Sequence, residues 1–236
     1  MVRKSNVGSD LATASPRARR RDRLRDAILR AAAQLFRERG FADTGMRDIA
    51  AADLSAANLY HYFDGKHDLL FYCQDRALDR MIAATVTARR ESKSAADRLR
   101  IVCTAHVQTL LDEIEGATAH LQIDSLPPAL RARIVKKRDR YERALRKLIA
   151  DGIASGELVD SDPAMITRAM LGAMNWTVTW FRPDGTDSAV DVGEIISRFL
   201  VRGVAISTPT RTVRASGAPV RTPAVKHTLS AVPRRS

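Results

Sequence analysis

The residues of this chain able to do chemistry are few and scattered. His61 and His67 are six positions apart, on different faces of a helix, and no thiol or carboxylate is placed to complete a metal site with them. Cys73 and Cys103 each fall in a helical pattern without a second Cys or a paired His nearby, so neither a disulfide framework nor a zinc site is expected. No phosphate-cradling glycine loop, no HExxH and no GxSxG turn occurs. These absences set the expectation of no enzyme, no cofactor and no metal.

Chemistry of another kind lies in the charge. Residues 1–25 carry eight basic side chains against two acids, six of them between Arg17 and Arg25, and residues 206–236 carry six basic side chains and no acid. The formal net charge of +12 therefore resides in the two ends, while the 180 residues between them balance at 25 basic against 25 acidic. Lys and Arg clusters gain affinity for phosphate polyanions by releasing counterions, so a neutral body with two basic ends points to nucleic acid.

The segment TGMRDIAAADLSAANLYHYFDGKHDLL, Thr44 to Leu70, supplies a device for it. Two short helices, near 46–52 and 56–62, divided by Asp53-Leu54-Ser55, have the layout of a helix-turn-helix, whose second helix is narrow enough for the major groove while the first braces it. Ser55 stands as N-cap of the second helix, where free N–H groups and the positive dipole end face a phosphate. Leu59 and Phe63, at i and i+4, would fasten that helix to a core. Ala56, Ala57, Asn58, Tyr60, His61 and Tyr62 are left for the DNA side or its edges, with Arg47 a further cation on the bracing helix.

Through ILRAAAQLFRERGFADT, MRDIA, LSAANLYHYF and Lys66 followed by Leu69-Leu70, the first 70 or so residues resemble the TetR family of transcriptional regulators. The resemblance implies that Thr44 opens the bracing helix beside a phosphate, that Tyr60 and Lys66 contact backbone phosphates, and that Ala56, Ala57, Asn58 and His61 lie near base edges. Two departures stand out. The chain is one residue short between Ile49-Ala50 and Ser55, and Asp53 takes the place of the turn glycine. One missing helical residue rotates the second helix by about 100° unless the turn absorbs it.

The elements that must carry these residues are all helical, about nine helices and no sheet. A first helix runs from about Arg20 to Arg39 and stops at Gly40. A long one reaches about Arg89, another carries Leu99, Cys103, His106 and Leu110, and a short one lies around 117–124. Pro127-Pro128 opens a helix through Ile134, Tyr141, Leu145 and Leu148. Asp162-Pro163, N-cap then Pro at the first helical position, opens another as far as Pro183, and the last lies near 188–204. Residues 1–19 and 206–236 are expected to be disordered basic segments, 20–66 the DNA-binding head, and 67–205 a helical ligand-binding and dimerisation domain. The opening MVRKSNVGSD lacks an apolar stretch after its basic residues, and no run approaches a membrane span, so a cytoplasmic protein without membrane contact is expected.

In the family the C-terminal part binds a small effector and dimerises, and MLGAMNWTVTWFRPDG looks like the eighth helix of members that respond to acyl-CoA thioesters. Asn175, Trp176, Trp180, Phe181 and Arg182 join apolar area to polar handles, with Arg182 available to a phosphate or carboxylate, while His106, His120 and Tyr141 could orient a carbonyl. The resemblance implies a homodimeric repressor, released from a palindromic operator by its effector. A recognition helix this short also asks for a second copy, through Ala169, Ala173, Ile195, Phe199 and Leu200 on the last two helices. The rival reading is a non-specific or architectural nucleic-acid binder that uses only the basic ends.

Overall fold

A computed structural model describes residues 15–51, 56–111 and 123–206. Among the described residues there are eight α-helices and one 3₁₀ turn, Ile123–Ser125. The helices are α1 (Pro16–Arg39), α2 (Met46–Ala51), α3 (Ala56–Tyr62), α4 (Lys66–Glu91), α5 (Ala95–Leu111), α6 (Pro128–Ala154), α7 (Pro163–Trp180) and α8 (Ala189–Val204). Of the short helix expected around 117–124, only its last residues are described, and they belong to the 3₁₀ turn. The expected turn residues 53–55, His120 and the tail beyond Ile206 lie outside the described residues.

The first helix begins earlier than expected: α1 opens at Pro16, four residues before Arg20, so Arg17 and Arg19 fall within the helix and not in the disordered basic segment. Proline suits a first helical position because the amide it lacks would have no partner there. The other end of α1 agrees with the sequence. Gly40 takes φ +80°, open to glycine at little cost, and donates its N–H to the Phe36 carbonyl at 3.0 Å.

One apolar core runs through the described chain. Ile28, Leu29, Phe36, Ile49, Leu59 and Phe63 bury the faces of α1, α2 and α3, and Leu69 and Leu70 bring in the first turns of α4. Farther along, α4 packs on α5 and α6, and α5 is also covered by α7 and α8. Asp162 caps α7 by accepting the Ala164 N–H at 2.8 Å, and Ser188 caps α8 by accepting that of Asp191 at 3.1 Å. The only strand-like pairing among the described residues is a single antiparallel bridge, Leu158 with Ala205, which ties the α6–α7 loop to the end of α8. Gly152 makes this corner possible: a Cβ there would sit 2.6 Å from the Leu158 side chain and 2.8 Å from Ala95 Cβ.

Candidate nucleic-acid interface and effector site

The nucleic-acid interface is built from the core outward. Leu59 and Phe63 are buried, as their i, i+4 spacing requires, so α3 is fixed by one face. Tyr60 is 54% exposed and His61 is exposed, which leaves both on the surface of the head. Arg47 on α2 is exposed as well, and Tyr62 is half-buried against the core. Ala56, Ala57 and Asn58 form the first turn of α3, with side chains outside the described residues, as is Ser55 altogether.

Two residues expected at phosphates are bonded within the head. Thr44 is fully buried, and its hydroxyl donates to the Gly40 carbonyl at 2.8 Å and the Leu35 carbonyl at 3.3 Å. It closes the carbonyl end of α1, while Gly45 caps α2 by donating its N–H to Asp48 Oδ2 at 2.7 Å. Lys66 Nζ donates to the carbonyls of Phe41, Ala42 and Thr44 at 3.0, 3.0 and 3.2 Å and lies 4.7 Å from the Phe41 ring centre. An ammonium has three N–H donors, and all three are committed to this loop. Lys66 therefore locks the α1–α2 connection to the start of α4, a role that a separation of up to 25 residues hides from local sequence patterns.

Arg25 likewise faces inward. Its guanidinium stacks 3.7 Å from the Tyr72 ring centre and 5.6 Å from that of Phe63, joining α1 to α4. From α4 the connection continues to α6. Lys137 Nζ meets Asp75 Oδ1 at 2.7 Å and Asp79 Oδ1 at 2.8 Å, donates to the Asp75 carbonyl at 2.9 Å, and is flanked by Arg133 over the Phe71 ring at 4.5 Å. Local sequence patterns carry a single sign of this strap, the i, i+4 pair of carboxylates Asp75 and Asp79.

The residues expected to meet an effector divide into two groups. His106 of α5, Tyr141 of α6 and Asn175 of α7 converge: His106 Nδ1 is 3.0 Å from Tyr141 Oη, and His106 Nε2 is 3.0 Å from Asn175 Oδ1. His106 is 2% exposed and Tyr141 3%. Burial lowers the His106 pKa to about 4 against the opposing pull of the Asn175 hydrogen bond, so the imidazole is neutral near pH 7. Burial also raises Tyr141 well above the usual phenol range and pushes the neighbouring Cys103 thiol up to about 12, which leaves that cysteine unreactive. Among the described residues no group of three His, Cys, Asp or Glu side chains could hold a metal ion.

Trp176 and Trp180, by contrast, are 65% and 45% exposed, and lie with Met165, Ala169 and Ala173 along the outer face of α7. Ile195 and Phe199 stand out from α8, 62% and 74% exposed, while Leu200 is partly buried. Between the two helices runs an apolar groove of about 430 Å³, lined by Ile166, Ala169, Met170, Phe199, Leu200 and Gly203 among others. Phe181 is partly buried at the end of α7, and Arg182 is exposed beside it. Amphipathic spacing alone could not separate these faces, because an outward tryptophan and a core tryptophan have the same period.

Residues 28–73 match the family described as bacterial regulatory proteins of the tetR family, and residues 92–204 match the tetracyclin repressor-like C-terminal domain. The chain is 26% identical over 191 residues to the HTH-type transcriptional repressor KstR2 of Mycolicibacterium smegmatis, an alignment covering 76% of this chain and 90% of the relative. Among solved structures it is similar to the TetR family transcriptional regulator PfmR of Thermus thermophilus, at 34% identity and TM-score 0.67, covering 74% of this chain and 97% of the other. It is also similar to AibR in complex with isovaleryl coenzyme A and operator DNA, at 26% identity and TM-score 0.61, with 75% and 96% covered. No helix among the described residues is long and apolar enough to cross a membrane.

Proposed function

The chain belongs to the TetR family of DNA-binding transcriptional regulators, which are not enzymes, and from that premise we propose that it is a homodimeric repressor released from a palindromic operator by an acyl-CoA thioester. The observation that carries the DNA reading is α3 itself, fastened by Leu59 and Phe63 while Tyr60 and His61 stay exposed. Asn58 and His61 are assigned to base edges, with Ala56 and Ala57 beside them, and Tyr60, Arg47 and the N-terminus of α3 to phosphates. Lys66 and Thr44 are assigned a supporting role, since their polar atoms are already bonded within the head.

The second copy is assigned to the outer face of α7 and α8. Met165, Trp176, Ile195 and Phe199 are large apolar side chains left 58–74% exposed, and a two-fold pairing would bury them and set two α3 helices on one palindrome. This moves Trp176 and Trp180 from the effector to the interface. The effector keeps His106, Tyr141, Asn175, Phe181 and Arg182. The thioester class is supported by the likeness to a regulator solved with isovaleryl coenzyme A and operator DNA, and by an exposed arginine at the end of the helix that carries Asn175.

A gel shift on DNA flanking the protein's own gene, with and without isovaleryl-CoA and longer thioesters, tests this reading. A site preferred roughly 10³-fold over random duplex, and released by a thioester, is the expected result. Similar affinity for every duplex would favour the architectural rival. Phe199→Asp should give monomers by light scattering, and a dimer of unchanged strength would reassign the interface.

A further inference from the structure

The hydrogen bonds at His106 run in one direction. Asn175 Oδ1 can only accept, so the proton on the facing His106 nitrogen must be the donor, and that places it on Nε2. With the ring neutral, Nδ1 carries a lone pair and accepts from Tyr141 Oη–H. The chain is thus Tyr141 to His106 to Asn175, each group donating to the next. It ends at the Asn175 amide, whose carbonyl is taken and whose amino group, Nδ2, makes no hydrogen bond with any described residue.

We infer that Asn175 Nδ2 is the donor that recognises an uncharged carbonyl oxygen of the effector, and that His106 and Tyr141 are positioning residues that hold and polarise it. The inference rests on the proposed effector site and names the chemistry of that site. Three further observations carry it. The first is access: Asn175 is only partly buried, although His106 behind it is 2% exposed, so the chain is anchored in the core and opens outward. The second is polarity. Leu171, Asn175 and Val178, spaced four and three apart, share one edge of α7, with Phe181 one turn on, and all are partly buried. A ligand lying there meets apolar surface and one amide, with the exposed Arg182 beyond them at the end of the helix.

The third is charge. Both His106 and Asn175 are neutral, so a carboxylate at Nδ2 would lose water and gain one neutral hydrogen bond, which does not offset an anion's desolvation in apolar surroundings. A neutral carbonyl loses much less, and it meets a donor made stronger by the bonds behind it. Thioesters, esters and ketones fit this description, and an ammonium group does not, because the open atom is a donor.

The test uses the full-length protein with ¹⁵N-labelled side chains and two arms. In the first, methyl isobutyl ketone is compared with the alkane of the same skeleton. The Asn175 amide protons should move downfield with the ketone and not with the alkane, and equal responses would overturn the assignment whatever the second arm gives. Tyr141→Phe should shift the same protons upfield in the free protein, a change that a purely packing role for Tyr141 would not produce; their staying in place would strike Tyr141 and His106 from the inference. In the second arm, isovaleryl-CoA is compared with its thioether analogue, which lacks the carbonyl, in operator release. The thioester should act at a concentration at least tenfold lower, and Asn175→Leu should erase that difference. Equal potency would overturn the assignment, whereas no release by any thioester would overturn the acyl-CoA reading and leave the ketone result to decide the carbonyl donor.

Discussion

The head and the effector region both bring polar side chains into apolar surroundings, and they treat them in opposite ways. At Lys66 every donor is used: three N–H groups meet three carbonyls, and the flanking Thr44 hydroxyl and Gly45 amide are paired as well. At His106 the chain of bonds is left open at one end, on the Asn175 amino group. A saturated network has nothing to gain from a ligand and serves to hold a shape, whereas an unfinished one gains a bond when a ligand arrives. On the proposed assignments, the difference gives rigidity to the part that would read a fixed sequence and responsiveness to the part that would sense a variable concentration.

Acid should separate the two regions most. His106 has its pKa lowered from 6.5 to about 4, so at intermediate pH the unfolded chain binds a proton that the folded chain refuses. Stability should be undiminished by this group above pH 6.5, fall as the pH drops from 6.5 toward 4, and level off below, by about 3 kcal/mol in all. Urea unfolding of wild type against His106→Phe across that range measures it. A wild-type curve parallel to the variant's would show that the ring is not held neutral.

A smaller loss is expected from the saturated cup. Lys66→Met leaves three carbonyls without their cation and should cost about 2 kcal/mol, a fall in Tm of roughly 4–8 °C. An unchanged Tm together with a salt slope of operator binding lower by about one would return Lys66 to a phosphate. Smaller still, Tyr141→Phe removes one neutral hydrogen bond and should cost about 1 kcal/mol, with operator affinity in the absence of effector unaltered in a gel shift. A matching loss of operator affinity would mean that the two regions are not separable in this way.

The features legible in the sequence are the local ones. Gly40 ends α1, Asp162 and Pro163 open α7, and Leu59 with Phe63 orients α3, because each depends on neighbours within one or two turns. Apolar period starts the first helix four residues late because Pro16 and the arginines after it carry none, although proline at a first helical position is a usable sign. Contacts that the fold brings together over distance escape such patterns. Lys66 reaches back 22 to 25 residues, and His106 meets partners 35 and 69 residues away. The outward tryptophans escape for another reason: period reports that a face is apolar and is silent on what covers it. Direct bonding partners therefore bear on the reading at Thr44 and Lys66, while exposure bears on it at Trp176 and Trp180.

The central place of α5 bears on how the protein is made. Its Thr104 hydroxyl donates to Ser197 at 2.8 Å, 93 residues later, and Gly193 of α8 lies so close that a Cβ there would be 3.0 Å from Gln108 Cγ. On a ribosome adding about 5–20 residues per second, α5 therefore waits roughly 5–20 s, after it has emerged, for the helix that covers it. Through that interval its bare side is a surface for a chaperone or for another nascent chain. A translation arrest placed between α7 and α8 should then leave a chaperone-bound species, and one placed after Ile206 should not.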